Sequence, residues 1–171
     1  KHGDVAPKKF SMTVKQTGIT GPFINGSNQF LVRFTGTPSS PASGPAVLVR
    51  FYNSGADNNR LAIKVEDETG ETIITTGKTF EDTATYYAFL NSYWGFEITF
   101  RDDLKVNLSI PLLGINATST KTISLSGQVR PYIITSLITN PLEVYEITSS
   151  PSESYADDFT TDTTERYQPV L

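Results

Sequence analysis

The chain has 171 residues, which fits one domain with a real core and is short for two. Its net charge at pH 7 is only -4, and its basic residues are scattered with no cluster beyond Lys8-Lys9. This argues against nucleic acid as a partner, because phosphate-backbone binding needs a concentrated basic face. The sequence has no cysteine, which excludes disulfides, thiol chemistry and cysteine-based zinc sites.

The first part of the chain predicts a polar arm followed by five short strands. Residues 1–9 are polar and predict an extended N-terminal arm. Apolar residues then occupy every second position in short runs bounded by Gly, Pro, Asn and Asp, a pattern typical of strands with one buried face. The predicted strands cover 10–15, 29–35, 46–53, 60–66 and 71–76. In the third of them both faces carry bulky side chains, which predicts a central position in its sheet.

The clearest pattern in the chain is a β-hairpin. Apolar and polar residues alternate in two runs, 96–100 and 104–110, on either side of Asp102-Asp103. Two such runs joined by a short acidic turn predict a hairpin with one buried face, in which the second strand begins at Leu104. The stretch just before the hairpin is the most aromatic of the chain, and its pattern fits either a strand or one helical turn.

The second half of the chain adds further short strands and a polar tail. The remaining predicted elements are the aromatic stretch 86–94, a loop at 111–119 and strands at 121–129, 130–139 and 142–147. Together the elements predict an all-β fold, an antiparallel β-sandwich or jelly roll of ten or eleven short strands, with no convincing amphipathic helix. The predicted domains are the arm, a β-sandwich over 10–147 and a polar acidic tail over 148–171.

The sequence contains no catalytic signature. The single histidine, His2, lies in the predicted arm, which leaves little basis for a Ser-His-Asp triad or a histidine metal site. No Gly-rich phosphate loop follows a predicted strand. The acidic pairs fall in predicted turns, where solvated acids are common, whereas glycoside hydrolysis needs two carboxylates that face each other. We therefore predict a protein that is not an enzyme.

The acidic turns could hold a calcium ion, because Ca²⁺ accepts carboxylate and backbone oxygens from flexible loops. Asp102 and Asp103 are the predicted calcium ligands, with the acids of the tail as a further choice, although no spacing matches an EF-hand. No other cofactor is predicted.

An aromatic cluster next to the hairpin predicts a carbohydrate site. Such a site needs an aromatic surface for the apolar face of a sugar ring and a few polar side chains for its hydroxyls. Trp94, the only tryptophan, adjoins Tyr93, and Arg50 and Tyr52 lie on the outward face of the predicted central strand. These four residues are the predicted ligand contacts. In the alternative interpretation, Trp94 and the neighbouring tyrosines fill the end of the core.

Three Asn-X-Ser/Thr triplets, at Asn25, Asn107 and Asn116, are candidate N-glycosylation sites. Asn25 and Asn116 fall in predicted loops, and Asn107 lies on the polar face of its strand, where a glycan could also be accepted. The apolar runs are far shorter than the roughly 20 residues of a membrane-spanning helix, so no transmembrane segment is predicted. These features favour a secreted or cell-surface protein.

The order of the strands resembles the galectin family of β-sandwich lectins over about residues 10–137. FSMTVKQTG and QFLVRFT resemble the family's first paired strands, and AVLVRFYN resembles its central, sugar-facing strand. FEITFRDDLKVNLSI is similar to the family's FxLxI…FxVxVNG hairpin, and TISLSGQVRPYIITSL is similar to its closing strand. The resemblance implies a β-sandwich with a glycan as its ligand.

The binding motifs of that family are not reproduced in this chain. The family's HxNPR motif is missing, since the equivalent stretch at 48–53 reads LVRFYN. A literal WGxE occurs at 94–97, immediately against the hairpin, whereas the family separates the two by a further segment. The resemblance therefore implies the family's fold without its β-galactoside signature.

Two functions remain open from the sequence. The first is an extracellular recognition or adhesion module with a glycan as its ligand. The second is a structural subunit of an extracellular filament, coat or matrix, in which a terminal arm adds as a strand to the open sheet edge of another copy. The predicted partners are accordingly a glycan, or copies of the same chain in a homo-oligomer or polymer.

Overall fold

The computed structural model of the chain describes residues 8–19, 28–35, 45–54, 59–125, 129–134 and 140–150. These residues form ten β-strands, one α-helix and one 3₁₀ turn. In chain order they are β1 (Lys8–Gln16), β2 (Asn28–Thr35), β3 (Ala46–Ser54), β4 (Arg60–Glu66), β5 (Thr72–Thr79), α1 (Thr83–Leu90), β6 (Trp94–Phe100), β7 (Val106–Ile110), the 3₁₀ turn (Pro111–Leu113), β8 (Ile115–Thr118), β9 (Arg130–Ile134) and β10 (Leu142–Ser150). The rest of the predicted arm, 1–7, and of the predicted tail, 151–171, lies outside the described residues.

The strands form two antiparallel sheets of five strands each, packed face to face. The order in the first sheet is β10-β1-β6-β7-β8, and the order in the second sheet is β5-β4-β3-β2-β9. Each sheet therefore mixes strands from distant parts of the chain. The predicted fold class, an all-β antiparallel sandwich of the jelly-roll type, is confirmed.

The hydrophobic core lies between the two sheets and follows from the period of the strands. Successive side chains of a strand point to opposite faces, so every second residue is buried. Aromatic rings fill the centre of the core, where the Phe10 ring on β1 lies 5.2 Å from the Phe34 ring on β2. Within the second sheet, Phe30 stacks on Phe51 with 4.4 Å between the ring centroids. The alternate residues form two outer faces.

The predicted hairpin consists of β6 and β7, with Glu97 paired to Ser109. The prediction that its second strand begins at Leu104 is wrong. Leu104 has a φ of 61° and is 38% exposed. It belongs to the turn, which is closed by a hydrogen bond from the Arg101 N–H to the Lys105 carbonyl at 2.9 Å.

The predicted central strand is central, because β3 pairs with β4 on one side and with β2 on the other. The galectin resemblance needs one correction, since its first two strands, β1 and β2, are not paired with each other. β1 lies between β10 and β6 in the first sheet, whereas β2 lies between β3 and β9 in the second. Each of the two is enclosed by strands from later in the chain.

The aromatic stretch before the hairpin divides between a helix and a strand. Asp82 caps α1, and its side chain accepts the Thr85 N–H at 2.7 Å. Tyr86 and Leu90 are buried one turn apart on the same side of this helix. The chain then extends again, and Trp94 begins β6. No helix in the described part of the chain is both long enough and apolar enough to cross a membrane.

Other element boundaries differ from the sequence pattern. The predicted loop at 111–119 is wrong, because it contains the 3₁₀ turn and β8, an edge strand that pairs with β7. β9 occupies the start of the predicted strand 130–139, of which 135–139 lies outside the described residues. β10 begins at Leu142 as predicted and continues to Ser150, so its last residues pair with β1.

The predicted strand at 121–129 is also wrong over 121–125, and 126–128 lies outside the described residues. The backbone of this segment forms hydrogen bonds with residues in turns and not with a neighbouring strand. The Ile123 N–H donates to the Leu104 carbonyl at 2.8 Å. The adjacent Ser124 N–H donates to the Glu68 carboxylate at 2.7 Å. Ile123 is nevertheless buried. The alternation of apolar and polar residues in this segment therefore reflects burial of side chains and not pairing with another strand.

Candidate functional site

Trp94 is a core residue. Its side chain is only 2% exposed, and its ring lies 5.2 Å from the Phe89 ring and 5.5 Å from the Phe51 ring. A ring enclosed in this way has no free face for a sugar. The position of Trp94 corresponds to the alternative interpretation, in which it fills the core.

The other predicted ligand contacts lie on opposite sides of the sandwich. Arg50 and Tyr52 are neighbours on the outer face of β3, in the second sheet. The Arg50 Nε donates to Glu66 Oε2 at 3.0 Å, and the Lys64 Nζ lies 5.6 Å from the centroid of the Tyr52 ring. Tyr93 directly precedes β6 in the first sheet. The structure therefore brings Arg50 and Tyr52 together and separates both from Tyr93.

The predicted calcium ligands lie in the β6–β7 turn. The Asp103 carboxylate accepts two hydrogen bonds from the Arg101 guanidinium, at 3.1 and 3.0 Å, and one from the Lys105 N–H. The hydrogen bonds from Arg101 lower the pKa of Asp103 below its usual value. Asp102 is exposed beside it. Among the described residues, no three His, Cys, Asp or Glu side chains are grouped so that they could hold a metal ion together, and calcium binding stays a prediction.

Two of the three predicted glycosylation sites lie side by side on β7 and β8. The Asn107 amide donates to Asn116 Oδ1 at 2.9 Å, to the Ala117 carbonyl at 3.2 Å and to Thr118 Oγ1 at 3.1 Å. Asn116 is exposed on the edge strand β8. Asn25 lies outside the described residues. N-glycosylation stays a prediction.

An exposed aromatic pair lies on the outer face of the first sheet. Tyr145 on β10 is 73% exposed, and its ring centroid lies 5.4 Å from that of Tyr93. The Tyr93 hydroxyl donates to Glu143 Oε2 at 2.9 Å, and the Lys15 Nζ lies 5.0 Å from the centroid of the Tyr93 ring. The hydrogen bond to Glu143, then partial burial and the Glu143 charge, raise the pKa of Tyr93. We call Lys15, Tyr93, Glu143 and Tyr145 the tyrosine patch.

A β-bulge in β10 accounts for the position of Tyr145. The residues of β10 opposite Thr13 and Val14 are Glu146 and Val144, so Tyr145 is an extra residue between two paired positions. A bulge bends its strand and changes the direction in which a side chain points. At this bulge the ring of Tyr145 reaches an aromatic ring that lies two strands away.

Beside the tyrosine patch, an open groove lies over Gly95. Gly95 follows Tyr93 by two residues, about 7 Å along the strand, so both face outward. The groove has a volume of about 290 Å³ and is lined by residues of β1 and β6, among them Met12 and Phe96, whose side chains point into the core. Its walls are formed by Ser11, Thr13, Glu97, Pro111 and Leu112. We call this feature the Gly95 groove.

Packing does not require a glycine at position 95. A Cβ atom there would lie 3.6 Å from the Met12 carbonyl oxygen and 3.7 Å from Thr13 Oγ1, which are ordinary van der Waals contacts. At Gly77 on β5, by contrast, a Cβ atom would lie 2.5 Å from the Leu61 carbonyl oxygen. Gly77 therefore serves the fold, whereas Gly95 leaves an open space on the outer face.

Polar groups are fixed at the end of the Gly95 groove away from the tyrosine patch. The Glu97 carboxylate accepts a hydrogen bond from Ser11 Oγ at 3.3 Å and lies 2.7 Å from the Lys9 Nζ. Leu112, which also lines the groove, is an exposed apolar side chain. The groove thus combines an apolar side chain with hydroxyl and carboxylate groups. This combination is complementary to a small polar ligand that has one apolar face.

Sequence reasoning identified Tyr93 and missed the rest of this site. The signal that could have been used is Gly95 inside a strand, because such a glycine often marks close approach of a ligand or backbone. Tyr145 gave no comparable signal, since its position depends on a bulge. The hydrogen bond between Tyr93 and Glu143 joins residues 50 positions apart in the chain.

The fold and this outer face define a jelly-roll β-sandwich with an open polar and aromatic surface. No protein-family model and no curated protein sequence matches the chain. Among solved structures, the chain is similar to the receptor binding domain of botulinum neurotoxin C/D mosaic serotype, at 12% identity and a TM-score of 0.50 over 91% of this chain. A mutant of HCR/D is similar at 12% identity and a TM-score of 0.50 over 93% of this chain.

These likenesses show the fold alone, because the sequence identities are low. This chain spans 35% of that receptor binding domain and 37% of the HCR/D chain, about a third of each. A β-glucanase from Bacillus licheniformis is also similar, at 13% identity and a TM-score of 0.44 over 84% of this chain and 65% of that one. That score is too low to carry an argument.

Proposed function

We propose that the chain is a non-enzymatic extracellular recognition or adhesion module that binds a glycan on the outer face of its first sheet. The observation that carries this proposal is the exposed ring of Tyr145, which packs against Tyr93, two residues before the glycine that lies under the Gly95 groove. The secreted or surface location is part of the proposal and rests on the three glycosylation triplets of the sequence.

The two parts of the site supply what a sugar needs. A pyranose ring has an apolar face that packs on an aromatic side chain and hydroxyls that need hydrogen-bond partners. Tyr145 offers the aromatic face, and Ser11, Thr13 and Glu97 offer hydroxyl and carboxylate groups. A volume of about 290 Å³ lies at the small end of ligand sites, so the groove fits about one or two sugar rings.

The tyrosine patch is held in place before a ligand arrives. Tyr93 is bound through its hydroxyl by Glu143 and is covered on its ring by Lys15, and it supports Tyr145 in turn. A side chain that is already ordered loses less conformational entropy on binding than a free one. This pre-organisation supports a binding role for the patch.

The acidic chemistry of the groove supports a binding protein in preference to a glycosidase. Glycoside hydrolysis uses two carboxyl groups that flank the scissile bond. Of the residues that line the groove, one is acidic, Glu97, and its carboxylate is ion-paired with Lys9. We propose on this basis that bound sugar is retained without cleavage.

The test of this proposal is a glycan microarray followed by calorimetry with the best neutral ligand. Tyr145→Ala removes the exposed ring and Gly95→Leu fills the groove, and each should weaken binding by about tenfold or more. Tyr145 is exposed and packing leaves room for a side chain at Gly95, so thermal unfolding should hardly change. The matched control is Tyr52→Ala, which removes a tyrosine from the outer face of the other sheet and should leave binding unchanged.

The same variants can contradict the proposal. If no glycan binds, the proposed function is wrong. If Tyr52→Ala abolishes binding while Tyr145→Ala and Gly95→Leu have no effect, the ligand lies on the second sheet and the site proposed here is wrong.

A second candidate function is self-assembly by strand addition, and the exposed edge of β10 favours it. β10 has nine residues and, among the described strands, pairs only with β1. The other edges are less suited: β8 has four residues, β9 contains Pro131, and Thr120 bonds to the edge strand β5. Unpaired edges of this kind accept an extended segment from another chain.

Particle size tests this second candidate. We expect the chain to form assemblies in light scattering that dissociate when Val144→Lys places a charge on the β10 edge. Leu104→Lys is the matched control, because Leu104 is also 38% exposed but lies in the β6–β7 turn. A monomer at every concentration, or equal effects of the two variants, would rule out assembly through this edge.

A further inference from the structure

The charged side chains of the outer-face site carry a further inference about its ligand. In the described part of the chain, five charged residues lie on this face near the tyrosine patch and the Gly95 groove. They are Lys9, Lys15, Glu97, Glu143 and Glu146. Two lysines against three glutamates leave the face with a small excess of negative charge.

Both lysines are engaged by carboxylates of the same face. The Lys9 Nζ lies 2.7 Å from Glu97 Oε1, at one end of the site. The Lys15 Nζ lies 3.7 Å from Glu143 Oε2 and also covers the Tyr93 ring, at the other end. An anionic ligand that approaches either ammonium group also meets the carboxylate paired with it, which offsets the attraction of the lysine.

The third glutamate adds a negative charge between these two ends. Glu146 is exposed and lies directly opposite Thr13, which lines the groove. Residues directly opposite each other on antiparallel strands share a face, so Glu146 lies on the outer face beside a residue that lines the groove. A carboxylate or sulfate in the groove would meet a like charge there.

We infer that the outer-face site selects neutral glycans and rejects sialylated, sulfated and uronate-containing ones. This inference rests on the proposed function of the same site. The hydroxyls of a neutral sugar can donate hydrogen bonds to Glu97 and can exchange hydrogen bonds with the hydroxyls of Ser11 and Thr13. Neither ion pair has to be broken for this. Glu146 instead repels an added anion. Repulsion between like charges at close range in a surface site weakens binding by about fivefold or more.

The experiment compares a neutral oligosaccharide with the same oligosaccharide carrying a terminal sialic acid or a sulfate. The chain should bind the neutral form about fivefold more tightly or better. Glu146→Lys should reverse this preference, because the new ammonium group attracts the anion, and should change the affinity for the neutral form much less than the affinity for the acidic form. The control Asp102→Lys makes the same charge change in the β6–β7 turn and should alter neither affinity.

The outcomes separate the inference from the function on which it rests. Equal or tighter binding of the acidic form by the unmodified chain overturns the inference and leaves glycan binding intact. A preference that Glu146→Lys and Asp102→Lys change equally overturns it as well, because the site charge would then have no special role. If neither form binds, both the inference and the proposed function are wrong.

Discussion

Trp94→Ala is expected to lower the free energy of unfolding by about 3–5 kcal/mol, the usual cost of removing a large buried aromatic side chain. The ring of Trp94 packs between Phe51, Phe89 and Phe30 at centroid distances of 5.5, 5.2 and 5.8 Å. Its removal leaves a cavity that strands in both sheets cannot close. Denaturant unfolding followed by circular dichroism measures the change.

The control for this variant is the adjacent Tyr93→Ala. Tyr93 precedes Trp94 in the chain but lies on the outer face, so its loss should cost much less, within about 1 kcal/mol. A Trp94→Ala chain that is as stable as the Tyr93→Ala chain would contradict the core position of the tryptophan. A loss of sugar binding in Trp94→Ala alone would report damage to the fold and not a lost contact.

Gly77→Ala is expected to lower the free energy of unfolding by about 1–3 kcal/mol, because it forces atoms into a filled space. The added Cβ atom would lie 2.5 Å from the Leu61 carbonyl oxygen and 3.1 Å from the Ala62 Cα atom. Both are backbone atoms of the neighbouring strand β4, so they can move only if the β4–β5 pairing is distorted.

Gly95→Ala provides the matched comparison on β6. Its Cβ atom would make ordinary contacts, and glycine itself costs a strand about 0.5–1 kcal/mol of conformational entropy, so the change should be neutral or slightly stabilising. Thermal and denaturant unfolding of the two variants side by side decide the point. Equal destabilisation by both would mean that Gly95 serves packing and would contradict its role in leaving space for a ligand.

These experiments together distinguish residues that build the fold from residues that face a ligand. Trp94 and Gly77 contribute to the core and to strand pairing. Tyr145 and Gly95 are exposed or unconstrained, so their substitution should change binding without changing stability. A variant that alters binding and leaves the unfolding curve unchanged is the result that supports the outer-face site.

Much of the fold followed from local patterns in the sequence. Alternation of apolar and polar residues depends only on the geometry of a single strand, so it predicted β6, β7 and the central strand β3. The same alternation misled at 121–125, where Ile123 is buried without joining a ladder. A periodic pattern reports which residues are buried and does not report what their backbone binds.

The sequence by itself determined the class of the fold, the hairpin and the absence of a local catalytic motif, because these depend on residues close together in the chain. Only the tertiary structure decided that Trp94 lies in the core and that Tyr93 faces Tyr145. That pairing requires β10 to lie beside β1 and its bulge to fall at Tyr145. Pairing between distant strands depends on the whole packed sandwich, so no local segment encodes it.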